Sequence, residues 1–190
     1  MTPSSLADLP ARLTAQTHWS SPLGGMRLAR TADGLAGLWF DGQRHHPGPL
    51  SAPEAPDDPL LRAAIAHLQA CFAGHQPPST LPLDLHGTPF QRAVWQVLLA
   101  IAPGRTRSYG EVAEAIGAPA AVRAVGAAVG RNPVSVIVPC HRVLGRDGSL
   151  TGYAGGLDRK RALLALEQGA EVARTVPAKA PTGPLSRAAA

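Results

Sequence analysis

The chain of 190 residues is long enough for one medium-sized domain or two small ones, and 45% of its residues are hydrophobic. Its apolar runs are much shorter than the roughly eighteen residues of a membrane span. The N-terminal residues lack the basic and then apolar pattern of a secretory signal peptide. We therefore expect a soluble, cytoplasmic protein. Only two cysteines occur, Cys71 and Cys140. They exclude a disulfide framework and lack the close pairing typical of zinc sites.

The formal net charge of +5 is concentrated in the second part of the chain. Residues 81–170 carry ten Lys or Arg and six Asp or Glu, whereas residues 1–80 carry five Arg and six acids. A basic surface attracts nucleic acid only where its charges cluster. Charge alone is therefore compatible with either a solvated basic face or a nucleic-acid-binding surface.

Two extended runs, residues 26–29 and 35–40, flank the pair Asp33-Gly34. Glycine tolerates the positive φ that a tight hairpin turn demands, so this pattern predicts a β-hairpin. A proline-rich loop, residues 47–56, follows the hairpin.

An amphipathic helix is predicted after this loop. Asp58 precedes Pro59, which is a favourable helix start, and Gly74 ends the pattern. Cys71 on this helix is interpreted as a small buried hydrophobic residue. The apolar residues at helical spacing, which would pack on the hairpin, are Leu61, Ile65, Leu68 and Phe72.

A domain boundary is predicted within residues 74–87, where three prolines interrupt the periodicity. We accordingly divide the chain into a first domain of residues 1–80, a linker of residues 81–87 and a second domain of residues 88–170. Residues 171–190 are too poor in apolar side chains to pack, so we expect a disordered tail there.

The second domain begins with two capping boxes, in which a Ser or Thr and a Glu or Gln three residues later satisfy the first N–H groups of a helix. Thr88 and Gln91 start one helix, and Ser108 and Glu111 start a shorter one that ends at Gly117. The apolar residues on their inward faces are Phe90, Val94, Val97, Leu98, Ile101, Val112 and Ile116.

A third helix is predicted from Pro119 to about Gly130, separated from the second by a Gly-Ala-Pro turn. Two helices joined by so tight a turn have the form of a helix-turn-helix. Residues 134–138 are then predicted to be extended.

The rest of the second domain is predicted to contain a wing and a last helix. Residues 143–153 would fold back around Asp147-Gly148, as the wing of a winged-helix domain does. The last helix is predicted over residues 158–168.

A candidate nucleophile follows directly on the apolar residues 134–138. The sequence Pro139-Cys140-His141-Arg142-Val143 places a cysteine beside a histidine. A neighbouring imidazole or basic group can lower the pKa of a thiol enough to make it a nucleophile. A lone cysteine is more often buried and inert, so this motif alone leaves both interpretations open.

The motif and its surroundings resemble the O6-alkylguanine-DNA alkyltransferases. The likeness covers roughly residues 88–169, whereas residues 1–80 match that family only in size and in the outline of a hairpin followed by a helix. The stretches that stand in the family's order and spacing are Ser108-Tyr109-Gly110-Glu111-Val112-Ala113, Val122-Arg123-Ala124-Val125-Gly126, Asn132-Pro133, Pro139-Cys140-His141-Arg142-Val143 and Gly152-Tyr153-Ala154-Gly155-Gly156.

The resemblance implies a fold of class α/β + α. A small ribonuclease-H-like α/β domain would be followed by a mostly helical winged-helix domain, which would contain the helix-turn-helix and both bind DNA and carry out the reaction.

The resemblance also implies that Cys140 accepts the alkyl group from O6 of guanine, in a direct repair that each molecule performs once. Glu167 would hold His141, which would relay the thiol proton through a water, while Tyr109 and Lys160 would donate hydrogen bonds to the departing guanine. The thioether product has no easy route back to the thiol. No cofactor or metal is expected, because the sequence has neither a phosphate-binding glycine loop nor a metal-ligand cluster.

Alkylated double-stranded DNA is the implied partner, and we expect a monomer with no obligate protein partner and no membrane. The damaged nucleotide must leave the duplex at a cost of a few kcal/mol, and Arg123 matches the family residue that fills the gap. Ala121, Ala124 and Gly126 are small and would let the third helix approach the minor groove closely, although Gly126 is equally compatible with helix packing. Tyr109 would also contact the DNA.

The pocket for the extruded base is implied by the same resemblance. Ala154 stands where some members have serine, so the lesion preference, including activity on O4-alkylthymine, is left open. The residues that would line or steady the pocket are Asn132, Pro139, Val143, Tyr153, Ala154 and Gly155.

Three other functions explain parts of the sequence. A non-enzymatic alkyltransferase-like protein would recognise the lesion but would lack the nucleophile that Cys140 supplies. A winged-helix transcription factor would explain the basic surface, but not Pro-Cys-His-Arg together with Glu167. A cysteine hydrolase would need an acyl pocket and oxyanion donors, which the sequence does not identify.

Overall fold

The computed structural model describes residues 9–169, so the predicted disordered tail, residues 171–190, lies outside the described residues. Two short 3-10 turns, Pro119–Ala121 and Cys140–Arg142, accompany the regular elements. The helices are α1 Leu9–Arg12, α2 Pro59–Phe72, α3 Pro89–Leu99, α4 Tyr109–Ala115, α5 Val122–Gly130 and α6 Leu157–Glu167, and the strands are β1 Ala15–Ser21, β2 Gly24–Arg30, β3 Leu35–Phe40, β4 Arg107–Ser108 and β5 Val143–Leu144.

The first half of the structure, residues 9–87, is an antiparallel sheet in the order β1-β2-β3 with α2 packed against it. The predicted hairpin is confirmed as β2 and β3, with Leu28 opposite Leu38. Gly34 is needed for close approach rather than for positive φ, since an added Cβ would lie 2.7 Å from the carbonyl oxygen of Pro82. Strand β1 was not predicted, because its Gln, Thr, His and Ser residues show no apolar alternation.

Helix α2 begins where the sequence predicts. The carboxylate of Asp58 accepts hydrogen bonds from the backbone N–H groups of Leu60 and Leu61, and Leu61, Leu68 and Phe72 are buried. The interpretation of Cys71 as a buried hydrophobic residue is wrong, because this side chain is half-buried at the edge of a cavity.

Strand β3 connects the two halves of the structure. At its start, the N–H of Leu35 donates to the carbonyl of Pro82, so the segment 81–87 lies against the sheet. Farther along, the N–H of Leu38 donates to the carbonyl of Pro133. One hydrophobic core runs from β2 and β3 into the second half, residues 88–169. The exact domain boundary stays a prediction.

The second half is mostly helical, and both predicted capping boxes are present, at Thr88 and at Ser108. The indole N–H of Trp95 donates to the carbonyl of Ala128 at 2.9 Å and so joins α3 to α5. The helix predicted from Pro119 begins as a 3-10 turn and becomes α-helical only at Val122. Among residues 9–169, no helix is long and apolar enough to span a membrane.

The prediction that residues 134–138 are extended is wrong. Val136 has a φ of +71°, and the N–H of Val138 donates to the carbonyl of Val134, so the segment is a compact turn. Its cause is Asn132, whose side-chain amide bonds to backbone atoms of both Val134 and Val138 and closes the loop.

The predicted wing is only partly correct. The chain does turn at Asp147-Gly148, and the N–H of Gly145 donates to the carbonyl of Ser149 at 2.9 Å. Strand β5, however, pairs in parallel with β4, and the returning residues 150–153 form no strand. The carbonyl of Thr151 accepts hydrogen bonds from side chains instead, namely those of Tyr109 and Lys160.

Candidate active site

Cys140 is the first residue of a 3-10 turn that follows the compact turn of residues 134–138. Its side chain is buried, and the amide Nδ2 of Asn132 donates a hydrogen bond to Sγ at 3.0 Å. The same Nδ2 donates to the carbonyl of Val138 at 2.8 Å. Asn132, which the family resemblance places among the residues that line or steady the pocket, therefore contacts both the turn and the sulfur.

The thiol of Cys140 is not a ready thiolate in this structure. Burial raises its pKa to about 11, and the hydrogen bond from Asn132 and the positive charge of Lys160 offset only part of that increase. Neighbouring groups thus act in the expected direction, but in the protein alone they do not bring the pKa of this thiol below its ordinary value. Burial disfavours the charged form more than these groups favour it.

His141 and Glu167 are in direct contact. Nε2 of His141 lies 2.8 Å from Oε1 of Glu167, and both side chains are almost fully buried. Burial lowers the pKa of His141 more than Glu167 raises it, so the imidazole is neutral. A neutral ring that donates from Nε2 to a carboxylate carries its lone pair on Nδ1. Among the described residues Nδ1 has no hydrogen-bond partner, so it is free to accept a proton.

Arg142 completes this network, and the sequence analysis assigned it no role. Its Nε and Nη2 donate to the two oxygens of Glu167 at distances of 2.7 to 3.1 Å. Burial acts against the charge of Glu167, but hydrogen bonds from His141 and Arg142 prevail and lower its pKa to about 2. No local pattern in the sequence identifies this role, because the carboxylate partner that a buried arginine requires lies 25 residues away, on α6.

Lys160 and Tyr109 meet at the same backbone carbonyls. Nζ of Lys160, which is fully buried, donates to the carbonyl of Thr151 at 2.7 Å and also to that of Val143. The hydroxyl of Tyr109 donates to the carbonyls of Thr151 and Gly152 at 3.1 and 3.3 Å. Burial lowers the pKa of Lys160 to about 8, and negative charge on Cys140 would act in the opposite direction.

Aromatic and glycine residues form the loop that follows these carbonyls. Tyr153 is buried, and its hydroxyl has no partner within residues 9–169. An added Cβ on Gly155 would lie 2.7 Å from the ring of Tyr153 and 3.1 Å from that of Phe40, so only glycine fits here. The carbonyl of Ala154 accepts from the N–H of Arg44. Pro139 and Val143 are both buried.

A cavity of about 640 Å³ borders His141. His141, Arg142 and Glu167 line it together with Cys71 of α2, whereas Cys140, Tyr109 and Tyr153 do not. Pro139 lines it as well, so the cavity borders the candidate site but is not lined by the sulfur-bearing Cys140.

The residues predicted to contact DNA lie on α5 and its preceding turn. Arg123 and Ala124 are exposed, and Ala121 and Gly126 are half-buried. Gly126 faces Tyr109, since an added Cβ would lie 3.8 Å from that ring, which is an ordinary contact. Tyr109 thus links α5 to the carbonyls that Lys160 binds.

Comparison with known proteins gives matches over most of the chain. Residues 16–85 match the ribonuclease-like domain of 6-O-methylguanine DNA methyltransferase, and residues 89–169 match its DNA binding domain. The methylated-DNA--protein-cysteine methyltransferase of Mycobacterium tuberculosis is 49% identical over 148 residues, which are 78% of this chain and 88% of that protein. That of Methanosarcina acetivorans is 46% identical over 150 residues, which are 78% and 95%.

Solved structures agree with these matches. The crystal structure of the Mycobacterium tuberculosis OGT in complex with DNA has a TM-score of 0.76 at 46% identity, covering 82% of this chain and 94% of that one. An O6-methylguanine DNA methyltransferase from Methanococcus jannaschii has a TM-score of 0.56 at 25% identity, covering 81% and 94%. The two-part architecture of a ribonuclease-like domain followed by a DNA-binding domain is thus confirmed. The chain belongs to the methylated-DNA--protein-cysteine methyltransferase family.

Proposed function

We propose that this protein repairs DNA directly by moving the alkyl group of O6-alkylguanine onto Cys140. The observation that carries the proposal is a buried thiol, to which Asn132 donates a hydrogen bond, followed directly in the chain by a histidine that contacts Glu167. This arrangement supplies a nucleophile and a neutral base that is oriented by a carboxylate. Family membership supports the same activity.

The proposed step forms one bond and breaks one. The proton of the thiol passes to Nδ1 of His141, either directly or through a water, and Sγ attacks the alkyl carbon. The bond from that carbon to O6 breaks, and its electron pair stays on the guanine. Negative charge on the sulfur is favoured by the ammonium group of Lys160 and by the donor Nδ2 of Asn132.

Tyr109 is proposed to donate a hydrogen bond to the departing guanine and so to stabilise its negative charge. Its hydroxyl proton is directed to the carbonyls of Thr151 and Gly152 in the protein alone, so it must turn towards the base when DNA binds. Lys160 keeps those carbonyls in place and compensates for the hydrogen bond that they lose.

The reaction ends after one event because the product is a thioether, whose alkyl carbon has no good leaving group. With a tenfold excess of duplex containing O6-methylguanine, we expect the number of repaired lesions to stop at one per protein molecule. Repeated turnover would contradict the proposal. Tight binding without repair would favour a damage-recognition protein, and turnover of a chromogenic ester would favour a hydrolase.

The DNA-binding part of the proposal concerns α4 and α5. They are joined by a turn at Gly117, whose φ is +73°, and they fit a helix-turn-helix. We propose that α5, the second helix, enters the minor groove, where its small residues allow close approach. The damaged nucleotide would swing into a pocket between Pro139 and Tyr153, and a monomer would suffice.

Arg123 is proposed to fill the space that the extruded base leaves. Replacing it by alanine should slow repair of a damaged duplex by about tenfold or more, because extrusion costs a few kcal/mol. The reaction with free O6-benzylguanine should be unchanged, since it needs no extrusion. Single-turnover rates on both substrates test this, with Arg62→Ala on the exposed side of α2 as the control. Equal losses on both substrates would exclude the insertion role.

A further inference from the structure

The exposed side of α5 continues past the end of the helix. Arg123, Ala127 and Arg131 are four residues apart and all exposed, so they lie along one face, while Val125 and Val129 are buried on the other. Arg131 is the residue that caps the C-terminal end of α5. The face proposed to meet DNA thus begins and ends with a positive charge.

A loop of the first half, residues 41–46, contacts the turn that follows the C-terminal end of α5. The side-chain Oε1 of Gln43 accepts a hydrogen bond from the hydroxyl of Ser135 at 3.2 Å, three residues after Asn132. The next residue, Arg44, donates its backbone N–H to the carbonyl of Ala154 at 3.0 Å. The loop is therefore fixed between the turn that precedes the nucleophile and the residues proposed to line the pocket for the base.

Three exposed cationic or titratable side chains lie in this region: Arg44, His45 and Arg131. Arg44 and His45 belong to the loop that the Gln43–Ser135 hydrogen bond ties to the turn after Asn132, and Arg131 directly precedes Asn132, so all three lie at the same edge of the site. The pKa of His45 is lowered, first by partial desolvation and then by the positive charges of Arg131 and Arg44, in agreement with this placement. Within the part of the chain that the structure describes, neither Arg44 nor Arg131 forms a salt bridge. Uncompensated positive charge at the rim of a site is suited to a polyanion.

We propose that Arg44, with His45 and Arg131, binds a phosphate of the DNA backbone, so that the ribonuclease-like half of the protein also holds the duplex. This inference rests on the proposed function. The contact would extend the DNA-binding surface of the protein from Arg123 along α5 and onto the first half of the chain, beside the loop that contains Ala154. It would also explain why the backbone of Arg44 is bonded to that loop.

The test is Arg44→Gln, which removes the charge and keeps the backbone hydrogen bond to Ala154. Binding of the full chain to an undamaged duplex is measured between low and moderate salt, with Arg62→Gln as a control that removes the same charge from the same half. Each lost phosphate contact reduces the slope of log K against log salt by about 0.9. We expect this reduction and a several-fold weaker affinity for Arg44→Gln, and neither for Arg62→Gln.

A second measurement locates the contact. Duplexes in which one phosphate at a time is an uncharged methylphosphonate should bind the wild-type chain more weakly at one position, and that position should have a clearly smaller effect on Arg44→Gln. An unchanged salt slope for Arg44→Gln, or a loss of its reaction with free O6-benzylguanine, would overturn the inference. Failure of the wild-type chain to repair O6-methylguanine is a separate outcome, which would overturn the proposed function instead.

Discussion

Replacing Cys140 by alanine is expected to abolish alkyl transfer while leaving the affinity for duplex DNA nearly unchanged. The substitution removes the only atom proposed to form the bond to the alkyl carbon, whereas the charges proposed to bind DNA lie on α5 and on the loop of residues 41–46. The loss of one buried heavy atom costs about 1 kcal/mol of unfolding free energy, so the fold should persist. Repair of a labelled duplex and its equilibrium binding are measured on the same preparation.

The second cysteine provides a matched control. Cys71 is half-buried on α2, and burial raises its pKa to about 11, as for Cys140. It differs in its surroundings, because neither Asn132 nor Lys160 acts on its sulfur. Cys71→Ala should therefore retain full transfer. Alkyl transfer by Cys140→Ala, or loss of transfer in Cys71→Ala, would show that Cys140 is not the acceptor.

Replacing Glu167 by glutamine should destabilise the protein by about 3–5 kcal/mol, because it leaves Arg142 as a buried charge without its partner. It should also slow transfer, since His141 would no longer be oriented by a carboxylate. Urea unfolding measures the first effect and single-turnover kinetics the second. Glu114→Gln, which changes an exposed carboxylate on α4, should alter neither.

The pH dependence of stability distinguishes this network from a merely well-packed site. The folded-state pKa of Glu167 is depressed from 4.5 to about 2. A depressed carboxylate pKa means that the stabilisation is fully present above about pH 4.5 and is lost as the pH falls towards 2. The wild-type chain should lose stability in that window, and Glu167→Gln should lose less. Parallel curves for the two proteins would contradict the assigned role of Glu167.

The elements that the sequence predicted well are those with local causes. Both capping boxes and the Asp58 cap satisfy helix N–H groups within three residues, and the corresponding helices α2, α3 and α4 begin where expected. Their inward faces follow from helical spacing alone. Local chemistry determined these elements, so no knowledge of the rest of the fold was needed.

The elements that were missed depend on distant partners. Strand β1 is polar and is defined by its pairing with β2. The compact turn of residues 134–138 depends on the side chain of Asn132, and the returning part of the wing is held by Lys160 from α6. Such contacts leave no periodic pattern in the sequence. For this reason the apolar character of residues 134–138 predicts an extended segment where the structure has a compact turn.

The candidate site shows the same division. Cys140, His141 and Glu167 were assigned through resemblance to a family, and the structure places His141 against Glu167 and Asn132 against the sulfur of Cys140. The raised pKa of Cys140, the part played by Arg142 and the engagement of Tyr109 with backbone carbonyls all arise from burial and packing. None of these three is visible in the order of residues along the chain.

The most direct test of the account is the intact mass of the protein after mixing with an excess of duplex that contains O6-methylguanine, followed by peptide mapping. The account predicts a gain of one methyl group per molecule, confined to the peptide that contains Cys140. No gain in mass despite binding, or a methyl group on any other residue, would contradict it.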